Sequence, residues 1–469
     1  MFIFEQPRNI FKKLTSTQKL IATLLPRNLH PTGVYSKKLV RYLVLFILFT
    51  SPALRASAQI ADTLKHELTV DFEVRPRFEF RNNFMLSPAD PVMPELYATQ
   101  RNRLTINYKS RGFRFHASPQ EIHVWGRRDK LSQVGSINAF ELFAEPALAK
   151  NFSVRIGRQA LSLDNGRLFS AAPWAQQSRA HEGLRFLYNG KLNTDLTIAF
   201  TRPYNERFEA AYSPVSSHQY KLLLVHHLKY QFKNKLTLTT INAMDVFEKP
   251  AEHNNYYRRV TNGGRAEYAH GRLYGTVNAY FQYGHTANAR KLRAYYIQPE
   301  MSFNAARTAF RLGAELLSGD KAGIPKSSSN SFVPLYGVAW KFMGNMNLFT
   351  RFPADVNEKG LVNPYVFVIH QAGKKLSLRA DAHLFYSQHS LLKSGDALAG
   401  KYLGFESDVS LNFRPVKNLE IIYGISFTLA EERMELLKKA PDAGKIPVWS
   451  YLMISYTPRL LHIKSYRKQ

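Results

Sequence analysis

Beyond residue 59 the chain holds no apolar run of about 18 residues, the length a membrane-crossing helix needs. Apolar and charged residues instead alternate with a period of two. Val70, Phe72 and Val74 alternate with Asp71, Glu73, Arg75 and Arg77. Leu104, Ile106 and Tyr108 alternate with Arg103, Thr105, Asn107 and Lys109. The pattern returns at Phe310–Leu316 and at Leu376–Leu384, where Arg379, Asp381 and His383 fall on the polar side. A period of two belongs to strands, with one face apolar and the other charged. A soluble sandwich also alternates, but its polar face seldom sets arginine against acids so regularly. The expectation is an all-β chain, a transmembrane antiparallel β-barrel with a polar interior.

The connectors alternate in length. Short turns are expected near Arg111-Gly112, Asn189-Gly190, Asn234, Gly271 and Gly373, and longer polar loops near 82–97, 126–137, 163–174, 204–217, 248–257 and 318–331. Short periplasmic turns and long extracellular loops are the habit of bacterial barrels, which have an even number of strands. Phe332–Phe342 resembles a strand, but counting it would reverse the strand that enters the Gly373 turn. It is therefore assigned to a long outer excursion, which leaves about 18 strands.

Residues 37–58 carry Lys37, Lys38 and Arg41, then a short apolar stretch from Tyr42 to Phe49, then Ala56-Ser57-Ala58. This order predicts a signal peptide ending before Gln59, with residues 1–36 as an extension of uncertain status and 59–469 as one barrel domain. The formal charge is +29. Residues 1–58 hold nine Lys/Arg and one acid, so 64 − 9 basic and 35 − 1 acidic residues leave a mature net charge of +21. The basic residues are dispersed through alternating segments rather than gathered in a block, so nucleic acid is not the expected partner. With no Cys there is no disulfide framework or thiolate site. No cofactor is expected.

Arg155, Arg158, Arg167, Arg179 and Arg185 crowd one stretch, with Asp164 and Glu182 as its only acids. Arginine this dense is costly in an ordinary core but suits a wet, anion-attracting lumen. By parity Arg155, Arg179, His181 and Arg185 point inward, whereas Arg158 needs a bulge or a rim position. In the segment Gln120–Gly126, a face switch at Pro119 would turn Glu121, His123 and Trp125 inward as well. Guanidinium grips carboxylates through paired donors and keeps its charge. A ladder of them suits an anionic solute, although pairing with Glu73, Glu79, Glu121, Glu141 and Glu145 to hold the lumen together is equally expected. Asp164 in "DNGR" is one carboxylate, too little for a Ca²⁺ site, and no metal is expected.

The segments "RPRFEFRNN", "TQRNRLTINY", "QEIHVWG", "RIGRQ", "DNGR" before a Trp, and "EGLRF" resemble the alginate export family of outer-membrane porins. The resemblance implies an 18-stranded barrel whose arginine-rich lumen selects an acidic polysaccharide. Arg75, Arg77, Arg101, Arg103, Arg155, Arg158, Arg167, Arg179 and Arg185 would then line the path, with acids such as Glu121 narrowing it. Two positions depart from the family pattern: Glu121 stands where Asp is typical, and His123 where Arg is common.

The expected partners are an anionic polysaccharide or oligosaccharide, crossing by passive diffusion, and the lipid and lipopolysaccharide of the outer membrane. A periplasmic secretion or uptake partner is compatible with such a conduit. Two alternatives stay open. One is a barrel enzyme with a rim site, for which His218, His226, His227, His253 and His270 are available. The other is a plugged structural or adhesive barrel.

Overall fold

A computed structural model describes residues 64–86, 94–126, 137–201, 220–233, 235–249, 252–393, 396–397, 400–440 and 446–466. The expected signal peptide and the extension before it lie outside these residues.

The chain forms an 18-stranded closed antiparallel barrel. The first strands are β1 (Leu64–Asn82), β2 (Glu95–Ser110), β3 (Phe113–Val124), β4 (Ile137–Ala149), β5 (Phe152–Gln159) and β6 (His181–Asn189). Next come β7 (Leu192–Phe200), β8 (Leu222–Gln231), β9 (Leu236–Lys249), β10 (Glu252–His270), β11 (Leu273–His285) and β12 (Lys291–Ala305). Then follow β13 (Thr308–Leu317), β14 (Leu361–Gln371), β15 (Leu376–Ser387), β16 (Tyr402–Phe413) and β17 (Leu419–Ala430). The last, β18, runs in two pieces, Val448–Tyr456 and Arg459–Tyr466. Both pieces pair with β1, from Asn82↔Val448 to Leu64↔Tyr466, and this seam closes the wall.

Alternation decides which way each side chain faces. On β11, Val277 and Phe281 are each 48% exposed on the outer face, while the residues that follow them, Asn278 and Gln282, are wholly buried. The wall is thus apolar outside and polar inside, the inverse of a soluble protein and the arrangement of a membrane-spanning barrel. Inner polar groups satisfy one another across strands. Asn278 donates to Gln298, Gln298 to the Tyr365 hydroxyl, and that hydroxyl to Glu300, at 2.8, 2.6 and 2.8 Å.

β13 pairs directly with β14, so 318–360 is one excursion between neighbouring strands, as the strand count required. The loop expected at 248–257 is instead mostly strand: β9 runs to Lys249, β10 starts at Glu252, and these two residues pair. Cross-strand pairing there outweighs the polar composition.

The excursion and the segment 160–180 fold back into the lumen. Leu161, Leu168 and Phe169 of one, and Phe332, Met346, Leu348 and Phe349 of the other, are buried against inward wall residues such as Leu223, Val225 and Tyr296. Burying each such side chain contributes about 1.5–3 kcal/mol. A helix, α1 (Glu432–Lys438), adds Met434 to this cluster. The interior therefore holds an apolar core of its own as well as wet polar walls.

Candidate functional site

The arginines of β1 and β2 face the lumen beside the segment 173–178. Arg75 lies directly opposite Arg101, and Glu73 opposite Arg103. Like charges so placed repel, and backbone carbonyls and Glu73 offset the repulsion. Arg75 donates to Pro173 O at 2.7 Å, Ala175 O at 2.9 Å and Gln176 Oε1 at 2.9 Å. Arg101 donates to Glu73 at 2.7 Å and to Ala175 O at 3.2 Å. Arg103 reaches Gln120 at 2.6 Å and Ser178 Oγ at 3.0 Å. Arg77 bonds Glu79 at 2.8 Å and Trp174 O at 3.1 Å, while Arg81 shares Glu79. The fixed fork of donors lets one guanidinium gather several carbonyls. Among these residues, four arginines meet the carboxylates of only Glu73 and Glu79, and Arg103 meets neither.

The "DNGR" turn crosses to the far wall. Asp164 accepts from His227 at 3.0 Å and from Tyr280 at 3.2 Å, and Asn165 bonds Gln298 at 3.1 Å. Arg167, 1% exposed, donates to Glu315 on β13 at 2.7 Å and to Val338 O of the excursion at 3.0 Å. Arg179 donates to Tyr336 O, and to Gly337 O at 2.7 Å. Arg167 and Arg179 thus lock the two inward segments together. Arg167 is too enclosed to line a solute path.

Arg155 and Arg185 face the lumen directly opposite each other. Arg155 pairs with Glu145 at 2.8 Å and stacks over Phe143 at 4.2 Å. Arg185 bonds both Asp195 oxygens, at 3.0 and 2.9 Å. Arg158 is a correction. It shares its face with Ile156, which is 49% exposed, and pairs with Glu182 on the outer surface at 2.9 Å.

Glu121, His123 and Trp125 are corrected as well. The β2–β3 register is unbroken past Pro119, so β3 never switches face. The bulge lies on the neighbouring strand: Ser118 pairs with Glu141 and Pro119 with Ala139, which leaves Phe140 as the extra residue. Gln120 therefore faces inward. Glu121 and His123 face outward with Asn102 and Gln100, where Glu121 bonds His123 at 2.8 Å and Asn102 at 2.9 Å. Trp125 is exposed, packs edge-on to Phe78 and donates to Gln100 at 3.0 Å.

Beside the inward segments a cavity of about 230 Å³ remains, lined by Trp174, Trp340, Tyr451, Arg379, Asp381 and Asn345 among others. Trp174 meets Trp340 at 5.8 Å and Tyr451 at 5.0 Å between ring centres, and Arg77 lies over Trp174 at 5.5 Å. A larger recess of about 850 Å³ opens at the short-turn end, lined by Arg75, Lys375, Arg414 and Lys417 among others. Lys341 of the excursion lies among Arg265, Arg311 and Arg379; burial and these neighbours hold its pKa below the ordinary lysine value. Trp340, Arg379 and Tyr451 escaped selection as site residues because their meeting depends on inward folding.

The histidines considered for a rim enzyme do not gather among the described residues. His218 and the side chain of His253 lie outside those residues. His226 bonds Thr194 on the face opposite His227, and His270 stacks on Tyr268 beside a short turn.

No family model and no curated protein matches the chain, so the alginate export resemblance gains no support from these comparisons. Solved structures do match. OccK3 (OpdO) of Pseudomonas aeruginosa has a TM-score of 0.55 over 84% of this chain and 96% of its own, at 14% identity. OccK8 (OprE) of the same organism has a TM-score of 0.57, covering 84% and 98%, at 12% identity. OpdK of that organism, solved with vanillate, has a TM-score of 0.54, covering 84% and 98%, at 11% identity. At these identities the likeness establishes the fold, which is that of the outer-membrane porins.

Proposed function

We propose that the protein is a passive outer-membrane channel for anionic solutes of the acidic-sugar class, an alginate-like oligosaccharide or polysaccharide. The observation that carries this reading is the β1–β2 wall, where four arginines share two carboxylates and a fifth, Arg103, is held by Gln120 and Ser178. Backbone carbonyls orient Arg75, Arg77 and Arg101 without neutralising them, which supports a positive potential in the lumen. Aromatic faces beside Arg379 and Arg77 suit a ring that bears a carboxylate. The neighbour OpdK was solved with vanillate, itself a carboxylate, which supports the same solute chemistry.

A gap of about 230 Å³ is smaller than a typical drug-sized pocket. It favours the oligosaccharide end of the range; a polymer would need the inward segments to move. The test is the reversal potential of the purified barrel in a planar bilayer, then titration with acidic oligouronates. Anion selectivity with blockade supports the proposal, and cation selectivity would sink it. The apolar core inside the lumen favours one second reading, a plugged barrel, which zero conductance in a folded preparation would select.

A further inference from the structure

Four residues on β15 and β16 face the lumen as two directly opposed pairs, Asp381↔Asp408 and His383↔Glu406. All four are buried, His383 to 1% exposure and Glu406 completely. Opposed carboxylates repel. The nearest compensation is Arg379, whose Nε lies 2.8 Å from both Asp381 oxygens. Three carboxylates thus meet one guanidinium in a dry site, where uncompensated charge is costly.

The hydrogen bonds sharpen the problem. Asn363 donates its amide to Phe342 O at 2.7 Å, which turns its Oδ1 toward His383 Nδ1 at 3.2 Å. His383 Nδ1 therefore carries the proton, and Nε2 presents a lone pair. That lone pair faces Asp408 Oδ2 at 4.0 Å, too long for a hydrogen bond. Asp408 Oδ1 and Glu406 Oε2 are buried and reach no donor. The ligand atoms of Asp381, His383 and Asp408 lie within 4.8 Å of one another.

From these observations we propose that Asp381, His383 and Asp408 bind a divalent transition-metal ion, with Zn²⁺ best matched to the donor set. One imidazole and two carboxylates are ligands Zn²⁺ accepts at about 2.0–2.2 Å, leaving a position for water. Shifts of roughly 1 Å bring the three groups onto such an ion. Asn363 acts as the outer partner that fixes the histidine tautomer. The 230 Å³ cavity, which Asp381 and Asp408 help line, supplies the entry path. The ion's charge would balance the carboxylate excess. It would also secure the excursion, whose Asn345 and Met346 amides already rest on Asp408 and Glu406 at 3.2 and 2.7 Å.

The test is equilibrium dialysis of the purified barrel in detergent against Zn²⁺, with Mn²⁺ and Ca²⁺ in parallel, followed by elemental analysis. The expected result is one Zn²⁺ per chain, with affinity reduced about 100-fold or more in His383→Gln and in Asp408→Asn. His462→Gln, far from the site on β18, should bind like the unaltered protein. If either site variant fails to fold, Co²⁺ added to the unaltered protein reads the site directly: visible d–d bands that Zn²⁺ displaces support it. No stoichiometric transition metal, or equal binding in all variants, overturns the proposal. None of these readouts depends on which solute the channel passes.

Discussion

Arg167→Met isolates the tie between the "DNGR" segment and the barrel wall. The Arg167–Glu315 pair is almost fully enclosed, with side chains 2% and 0% exposed. Glu315 also accepts from Tyr296 at 2.8 Å, so its carboxylate stays buried when the guanidinium is removed. Breaking a buried pair from one side costs about 3–5 kcal/mol. At roughly 1.4 kcal/mol per factor of ten, the docked state of 160–180 loses about two to three and a half orders of magnitude in population relative to the released state. The wall keeps its ladder of backbone bonds, so the loss falls on the segment rather than on the barrel. The assays are limited proteolysis of the folded protein and single-channel recording. Arg167→Met should be cut faster within 160–180 and show larger, noisier conductance. Arg167→Met combined with Glu315→Leu should recover most of the protection, because it leaves no unpaired charge. Unchanged proteolysis and conductance in the single variant would refute the view that this pair holds the segment in the lumen.

Three further predictions concern charge. Arg75→Gln and Arg101→Gln should each lower the anion-to-cation permeability ratio about tenfold, since a unit charge taken as about 6 Å from the path favours an anion by roughly 0.7 kcal/mol in water and disfavours a cation by as much; reversal potentials measure it. Glu121→Gln and His123→Gln, on the outer face, should leave selectivity unchanged within error, and a clear shift in either would restore them to the lumen. Lys341 has a depressed pKa, so it releases its proton as pH rises before ordinary lysines do near about 10.4. Anion selectivity should therefore start to fall below that pH, and Lys341→Met should flatten this early decline in a pH series of reversal potentials.

Alternation and turn spacing made the wall legible, because each strand's two faces meet opposite solvents and the residues must follow. The same reasoning placed Phe332–Phe342 outside the strand count. It failed at Glu121, His123 and Trp125 because the bulge near Pro119 belongs to β4, and a bulge on a partner strand leaves no trace in the parity of β3. It offered the arginines a solute or an acid as partner and left out backbone carbonyls, which Arg75 and Arg179 chiefly hold and which Arg101 reaches besides Glu73. Those carbonyls arrive from segments that fold inward, a long-range choice that local pattern does not encode. Asp381 and His383 stood out as one polar face, but their opposition to Asp408 and Glu406 exists only in the register of β15 and β16.

The seam between β1 and β18 bears on how the barrel is assembled. Asp71 and Arg459 meet there across 388 positions of chain. Bringing ends that far apart together costs about 5 kcal/mol of chain entropy, recovered only when the last strand docks. Until then β1 and β17 are open edges with apolar outer faces, the combination most prone to pairing with other chains. A nascent chain cannot close this wall progressively. It needs shielding from first strand to last, and a chain ending before Val448 would stay a sheet with two adhesive edges.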